Sequence, residues 1–222
     1  MSSPLQTDQL DKFHQYHSLD LQNKIYQLKS LDIISKLSLP SHPNIVDLGG
    51  ADGSFHHLLI KKLNGKGLSL DLTKGHNLEE KFPLKENSVD LIIAHEIIEH
   101  LFDTDHFVKE IKRVLKPGGF VIISTPNLAS LKNRLKLLFG LYPQYLEYSK
   151  QGAGHIHLYT SQVLISQLSS HNLIPQILTS PNFPCPFITH AQFPNSLKKI
   201  FYFLGDLLPQ YGSHLIVLAT KK

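Results

Sequence analysis

The six residues His95, Glu96, Ile97, Ile98, Glu99 and His100 gather two imidazoles and two carboxylates, a donor set that can hold a metal ion or move a proton. Their spacing excludes one familiar use. A zinc-binding H-E-x-x-H helix needs its histidines four apart, so that about 3.6 residues per turn stacks both rings on one face. His95 and His100 are five apart, which rotates the second ring about 140° from the first. One helix cannot aim both at one ion, and the metallopeptidase reading fails. Glu96, Glu99 and His100 stand instead at i, i+3 and i+4, one face if the stretch is helical. A second stretch with chemical potential is IVDLGGADGSF, residues 45–55. A strand ending in a tight glycine turn before a helix lets a ligand approach the backbone, and the helix N-terminus favours an anionic group.

These stretches must be positioned by a scaffold, and the apolar pattern supplies one. Residues 18–37 place Leu21, Ile25, Leu28, Ile33 and Leu37 at helical spacing and stop before Pro40, which predicts a helical cap over residues 1–42. Ile45, Val46 and Leu48 read as a strand, followed by a helix that buries Phe55, Leu58, Leu59 and Leu63 and stops at Gly65. Residues 67–73 read as a short strand, and 88–95 as a strand buried on both faces. A capped helix begins at Asp103, turns Phe107, Ile111, Val114 and Leu115 inward and closes at Pro117-Gly118-Gly119. FVIISTPN is another buried strand. The alternation predicts a mostly parallel sheet covered by helices on both faces.

Beyond residue 127 the rhythm weakens. LASLKNRLKLLFG is a basic amphipathic segment, 161–171 is a helix capped by Thr160, IPQILTS is an edge strand and SHLIVLATKK a last strand. Segments 128–160 and 183–209, the latter carrying IFYFLGDLL, read as lids over a site. The 222 residues are long enough for one sizeable core, which predicts one domain over 1–222, with its core in 43–180 and 212–222. A net charge of +4 permits contact with phosphate groups, nucleic acid or an anionic membrane surface. No apolar run approaches the ~18 residues of a membrane span. A polar start without signal-peptide order and a single cysteine, Cys185, lead us to expect a cytoplasmic protein. The 14 histidines are scattered, so each needs local support before it counts as a ligand.

The pattern acidic-x-G-x-(G/A)-x-G, carried by Asp47, Gly49, Ala51 and Gly53, resembles the first motif of the class I S-adenosylmethionine-dependent methyltransferases. Ala51 replaces the usual central glycine. Further stretches match that family in order: Asp71 at the end of the second strand, FPLKENSVDLIIAHEIIEHL, and EIKRVLKPGGFVIISTPN. The resemblance runs from about residue 43 to 180. It implies a Rossmann-like α/β fold with an antiparallel last strand, and S-adenosyl-L-methionine held by Asp47, Gly49, Gly50, Ala51 and Gly53. Asp71 would take the ribose hydroxyls, Asn77 and Leu78 would lie near the adenine, and His95 would border the cofactor. The segment between Asp71 and Ser88 is too short for the family's helix plus third strand.

E-x-x-E-H after the fourth family strand is similar to two O-methyltransferase groups, those of quinone biosynthesis and those that methylate the 3′ end of small RNAs. There these positions bind a divalent metal. By that resemblance Glu96, Glu99 and His100 would be ligands, with His155 of GHIHLYT the fourth and His157 the next candidate. Two carboxylates with imidazoles suit Mn²⁺ or Co²⁺, with Mg²⁺ less fond of imidazole. His95, His100 or His155 acting as a general base, and a purely structural role for Glu99 and His100, stay open beside it. The expected acceptor is a small or lipid-like hydroxylated molecule. An RNA 3′ end and a non-catalytic partner subunit are the alternatives. Lys132, Arg134 and Lys136 fit contact with phosphate or anionic lipid, peripheral membrane contact included, or simply the wet face of a helix.

Overall fold

A computed structural model of the protein describes residues 25–144, 154–183 and 195–222. The predicted helix over 18–37 is described from Ile25, as α1 (Ile25–Ile34). Then follow β1 (Asn44–Leu48), α2 (Ser54–Leu63), β2 (Lys66–Leu70), β3 (Val89–His95), α3 (Thr104–Val114) and β4 (Leu115–Pro126). The second half holds α4 (Leu131–Leu138), α5 (Ser161–Ser170), β5 (Leu173–Thr179), α6 (Asn195–Leu207) and β6 (His214–Lys221).

The six strands order as β2-β1-β3-β4-β6-β5. β2, β1, β3 and β4 run parallel, and β6 is antiparallel to both neighbours. Side-chain alternation along β1 and β3 sorts the core into two layers. Val46, Leu48, Ile92 and Ala94 pack with Phe107 and Ile111 of α3 and Leu164 and Leu168 of α5. Ile45, Leu91 and Ile93 pack on the opposite face with Phe55 and Leu59 of α2 and Ile33 and Ile34 of α1. All seven residues of β3 are buried, as its continuous apolar run requires.

Because β1 to β4 are parallel, their C-terminal ends share one edge, where ligands of open α/β sheets bind. Asp47 to Gly53, Asp71, Glu96 to His100 and Asn127 all leave from that edge. Where a third strand would follow β2 in the family, residues 72–74 make a 3-10 turn and the chain reaches β3 through an irregular segment. Arg113 holds that segment, donating to the carbonyls of Leu84 and Phe82 and bidentately to Glu110, whose carboxylate accepts from the Phe82 amide.

Several local expectations are corrected. The second strand ends at Leu70, because Asp71 turns to cap the amide of Thr73. Leu58 is exposed and His56 takes its place against the core. The helix before KPGG ends at Val114, so Lys116 to Gly119 belong to the irregular start of β4. Leu28 is exposed, whereas Gln27, Lys29 and Ser30 of the same helix are buried, for reasons that lie in the site. The segments 128–160 and 183–209, expected to be lids, contain α4 (Leu131–Leu138) and α6 (Asn195–Leu207); residues 145–153 and 184–194 lie outside the described residues.

Candidate active site

The glycine turn is shaped by its neighbours. Gly49 has φ 75°, its amide donates to the Leu70 carbonyl, and a Cβ there would sit 2.8 Å from the Ile97 side chain. A Cβ on Gly50 would overlap Asp47 Oδ2, so the buried Asp47 carboxylate occupies the space a side chain would need. Ala51 adopts φ 43°, the left-handed conformation for which the family's glycine would be suited, and an alanine there carries some strain. Gly53, at φ 74°, caps α2 with no side-chain bond, leaving the helix N-terminus facing the turn.

Asp71 is buried and its carboxylate tethers the turn. Oδ1 accepts from the Thr73 amide and hydroxyl, and Oδ2 accepts from the Ala51 amide at 3.0 Å. One lone-pair direction remains on Oδ2 for a further donor. Lys74, bonded to Ser69 Oγ, places its ammonium 3.1 Å from where a Gly53 Cβ would be. Leu78 is in the core, and Asn77 spends its carboxamide on Glu79 and Glu80, so its side chain shapes this border of the turn through those bonds. A tight glycine turn, an anion-favouring helix end and a carboxylate at the end of β2 together fit a cofactor with a carboxylate and vicinal hydroxyls, as S-adenosylmethionine has.

His95 is the last residue of β3 and points, with Leu91 and Ile93, towards α1 and α2. Its Nε2 pairs with Ser30 Oγ at 2.8 Å, and its ring stands 5.1 Å from Tyr26 and 5.2 Å from Phe55. That contact explains why α1 buries Ser30 in place of Leu28. Lys29, also buried, bridges to Asp206 of α6 and lies over the Tyr202 ring. Neither Ser30 nor Tyr26 carries a sequence signal that would mark it as part of the site. Burial, with help from Glu96, Glu99 and Asp47, pushes the Tyr26 hydroxyl well above its usual range.

Glu96 departs from the sequence expectation. It has φ 51°, so no regular helix runs through 96–100, and only Ile98 to His100 form a 3-10 turn. The turn swings Glu96 off the face it would share with Glu99. Its Oε1 accepts from Ser124 Oγ at 2.6 Å, and its Oε2 lies 3.5 Å from His214 Nε2. Among the described residues, the cluster whose donor atoms lie within 4.8 Å of one another is Glu99, His100 and His155, without Glu96. Ser124 and His214 are two site neighbours that residue spacing gave no means of finding.

Glu99 is 1% exposed, and neither of its carboxylate oxygens has a hydrogen-bond partner. Oε1 faces His155 Nε2 at 3.9 Å and His100 Nε2 at 4.0 Å. Burial, reinforced by Glu96, raises the Glu99 pKa well above the ordinary carboxylate range. The Thr125 hydroxyl opposes that shift from nearby, yet it too lacks a partner within bonding distance. His100 Nδ1 meets the Gly154 carbonyl at 3.2 Å, which assigns the proton to Nδ1 and turns the Nε2 lone pair towards Glu99. The Glu99 carbonyl accepts from the amides of Ile156 and His157, and this pins His155 beside the carboxylate. His157 points elsewhere, to the Phe102 carbonyl at 3.3 Å. A buried carboxylate whose oxygens make no hydrogen bond, flanked by two imidazoles, is a donor set that a divalent cation would complete, so the residues present fit a metal.

A methyltransferase-domain family matches residues 14–174. The chain is similar to the malonyl-[acyl-carrier protein] O-methyltransferase of Marinomonas sp., 28% identical over 190 residues, which span 76% of this chain and 66% of that protein. It is also similar to the ubiquinone biosynthesis O-methyltransferase of Bartonella bacilliformis, 33% identical over 104 residues, spanning 45% of this chain and 42% of that one. The matched stretches thus cover less than two thirds of either relative. A solved S-adenosylmethionine-dependent methyltransferase from Archaeoglobus fulgidus superposes with a TM-score of 0.60 at 12% identity, covering 89% of this chain and 94% of that one. The family match, with the sheet order and the glycine turn, identifies the chain as a member of the class I S-adenosylmethionine-dependent methyltransferases.

Proposed function

We propose that the protein transfers a methyl group from S-adenosylmethionine to a hydroxyl oxygen of a small or lipid-like acceptor, with a divalent cation held by Glu99, His100 and His155. The observation that carries this reading is the buried Glu99 carboxylate, its oxygens without a hydrogen bond, beside two imidazole nitrogens. Likeness to two proteins named as O-methyltransferases supports oxygen as the attacking atom. One domain over the whole chain and a cytoplasmic setting belong to the same proposal.

When bound, S-adenosylmethionine would supply the electrophilic methyl, and a cation held by Glu99, His100 and His155 would supply Lewis acidity to lower the pKa of an acceptor hydroxyl. The chain does the positioning. Gly49 and Gly50 leave room for Ile97 and the Asp47 carboxylate to pack against the turn, and Asp71 keeps Ala51 in it. The Gly154 carbonyl fixes the His100 tautomer, and the Glu99 carbonyl fixes the His155 backbone, so both rings are set before an acceptor arrives. Tyr26, Phe55 and Ser30 hold His95 between the glycine turn and α1, where it borders the cofactor space.

Methyl transfer from radiolabelled S-adenosylmethionine to compounds bearing one hydroxyl or two adjacent hydroxyls tests the reading. Turnover that prefers adjacent hydroxyls, disappears with EDTA and returns with Mn²⁺ supports it. Chelator-insensitive turnover removes the cation from the proposal, and failure to bind S-adenosylhomocysteine removes the cofactor site.

A further inference from the structure

We infer that α4 and the outer face of α6 form a docking surface for an anionic lipid bilayer. The exposed end of α4 and the turn after it carry Leu137, Leu138, Phe139, Leu141 and Tyr142. Leu138 is 75% and Phe139 73% exposed, a density of large apolar groups that single scattered surface residues do not produce. The same segment carries Lys132, Arg134 and Lys136, and no acidic residue occurs between positions 127 and 146. Arg134 and Lys136 donate to the carbonyls of Ala129 and Tyr142, neutral acceptors that leave their charges uncompensated. Cations beside exposed leucine and phenylalanine describe a surface that enters the headgroup layer of a negatively charged membrane.

The second ridge is Ile200, Phe203 and Leu207 of α6, at i, i+3 and i+7 on one helical face, with Phe203 62% exposed. The sequence places Lys198 and Lys199 just before it. The start of α4 and the turn after α6 are tied to the same edge of the sheet. Pro126 at the end of β4 pairs with His214 at the start of β6, so α4 begins, and the turn after α6 ends, beside the candidate active site. Asn127 Nδ2 bonds the carbonyls of Gln210 and Gly212, and the Arg134 guanidinium stacks 4.9 Å over the Tyr211 ring. Docking through α4 and α6 would therefore turn the mouth of the site towards the bilayer. No described helix is long and apolar enough to cross a membrane, so the contact is peripheral. The inference rests on exposure, charge and topology, and holds whatever the methyl acceptor is.

Flotation with vesicles of phosphatidylcholine alone, or mixed with phosphatidylglycerol, tests it without any turnover. The protein should float with the mixed vesicles, weakly with the neutral ones, and less at high salt, since each lysine or arginine near an anionic surface is worth about fivefold in partition. Leu138→Ser with Phe139→Ser should lower partition at least about tenfold through the lost apolar insertion. Phe203→Ser, on the other helix, gives an independent reading should the double variant melt early. Absence of flotation by the unmodified protein overturns the inference, as does flotation unchanged in the double variant and in Phe203→Ser. Self-association through this surface, seen as a dimer that the substitutions dissolve, with no vesicle binding, overturns it too.

Discussion

Replacing Glu99 with glutamine separates the proposed cation site from a merely structural role. In the metal-free protein the buried carboxyl is driven towards its neutral form. Glutamine copies that neutral shape, so Glu99→Gln should change unliganded stability by no more than about 1 kcal/mol. Its response to metal should differ sharply. The oxygen-to-nitrogen separations of 3.9 and 4.0 Å must close to about 3.0–3.4 Å if each donor takes a bond of about 2.1 Å, a small shift for two side chains. Mn²⁺ at about a hundred times its dissociation constant would then stabilise the protein by about 2.7 kcal/mol. For a chain of this size that is about 5–10 °C in melting temperature. In Glu99→Gln the anionic donor is gone and the shift should fall below about 2 °C. A thermal melt with and without Mn²⁺ reads both. The pH dependence has a definite sign. A carboxyl whose folded pKa is raised keeps its proton in the fold while the unfolded chain releases it, so this contribution is present below the ordinary glutamate value and lost as pH rises through the folded one. Mn²⁺ stabilisation should grow over that window in the unmodified protein. Equal Mn²⁺ shifts in the two proteins, or none in either, would refute the reasoning.

Asp71→Ala removes the acceptor for Ala51 and Thr73, and calorimetry should find S-adenosylhomocysteine affinity lower by about tenfold or more; unchanged affinity would remove Asp71 from the cofactor site. Gly50→Ala drives a methyl group into Asp47 Oδ2, so the carboxylate must move and the same titration should show at least about a tenfold loss. Arg113→Ala takes away two hydrogen bonds that tie Phe82 and Leu84 to α3 and two that hold Glu110 for the Phe82 amide, and should cost about 2–3 kcal/mol by urea unfolding. Burial lowers the His56 pKa, so its contribution is fully present above the unfolded value of 6.5 and lost as pH falls through the folded one. His56→Gln should flatten the stability-versus-pH curve just below pH 6.5, and an unaltered slope would show that His56 does not titrate as its burial requires.

The strands and the helices facing them were legible because a two-sided sheet imposes continuous apolar runs. No such run marks the site edge, and there the reading failed in an informative way. Leu28 reads as a core position of α1, yet the helix turns Lys29 and Ser30 inward because Asp206 and His95 offer them partners that only the tertiary fold brings near. Glu96 reads as one face with Glu99, yet a left-handed residue breaks the face, and Ser124 and His214 from two other strands claim its carboxylate. Helical spacing assumes a helix, and nothing local announces φ 51° at a glutamate. His155 was found by resemblance alone, since 55 residues separate it from His100 and only the bonds from Ile156 and His157 to the Glu99 carbonyl close that distance. The backbone of Glu99 thus assembles the cluster that its side chain anchors. Its carboxylate, with no hydrogen bond to either oxygen, faces the imidazoles of His100 and His155 at the place where the backbone has invested two hydrogen bonds.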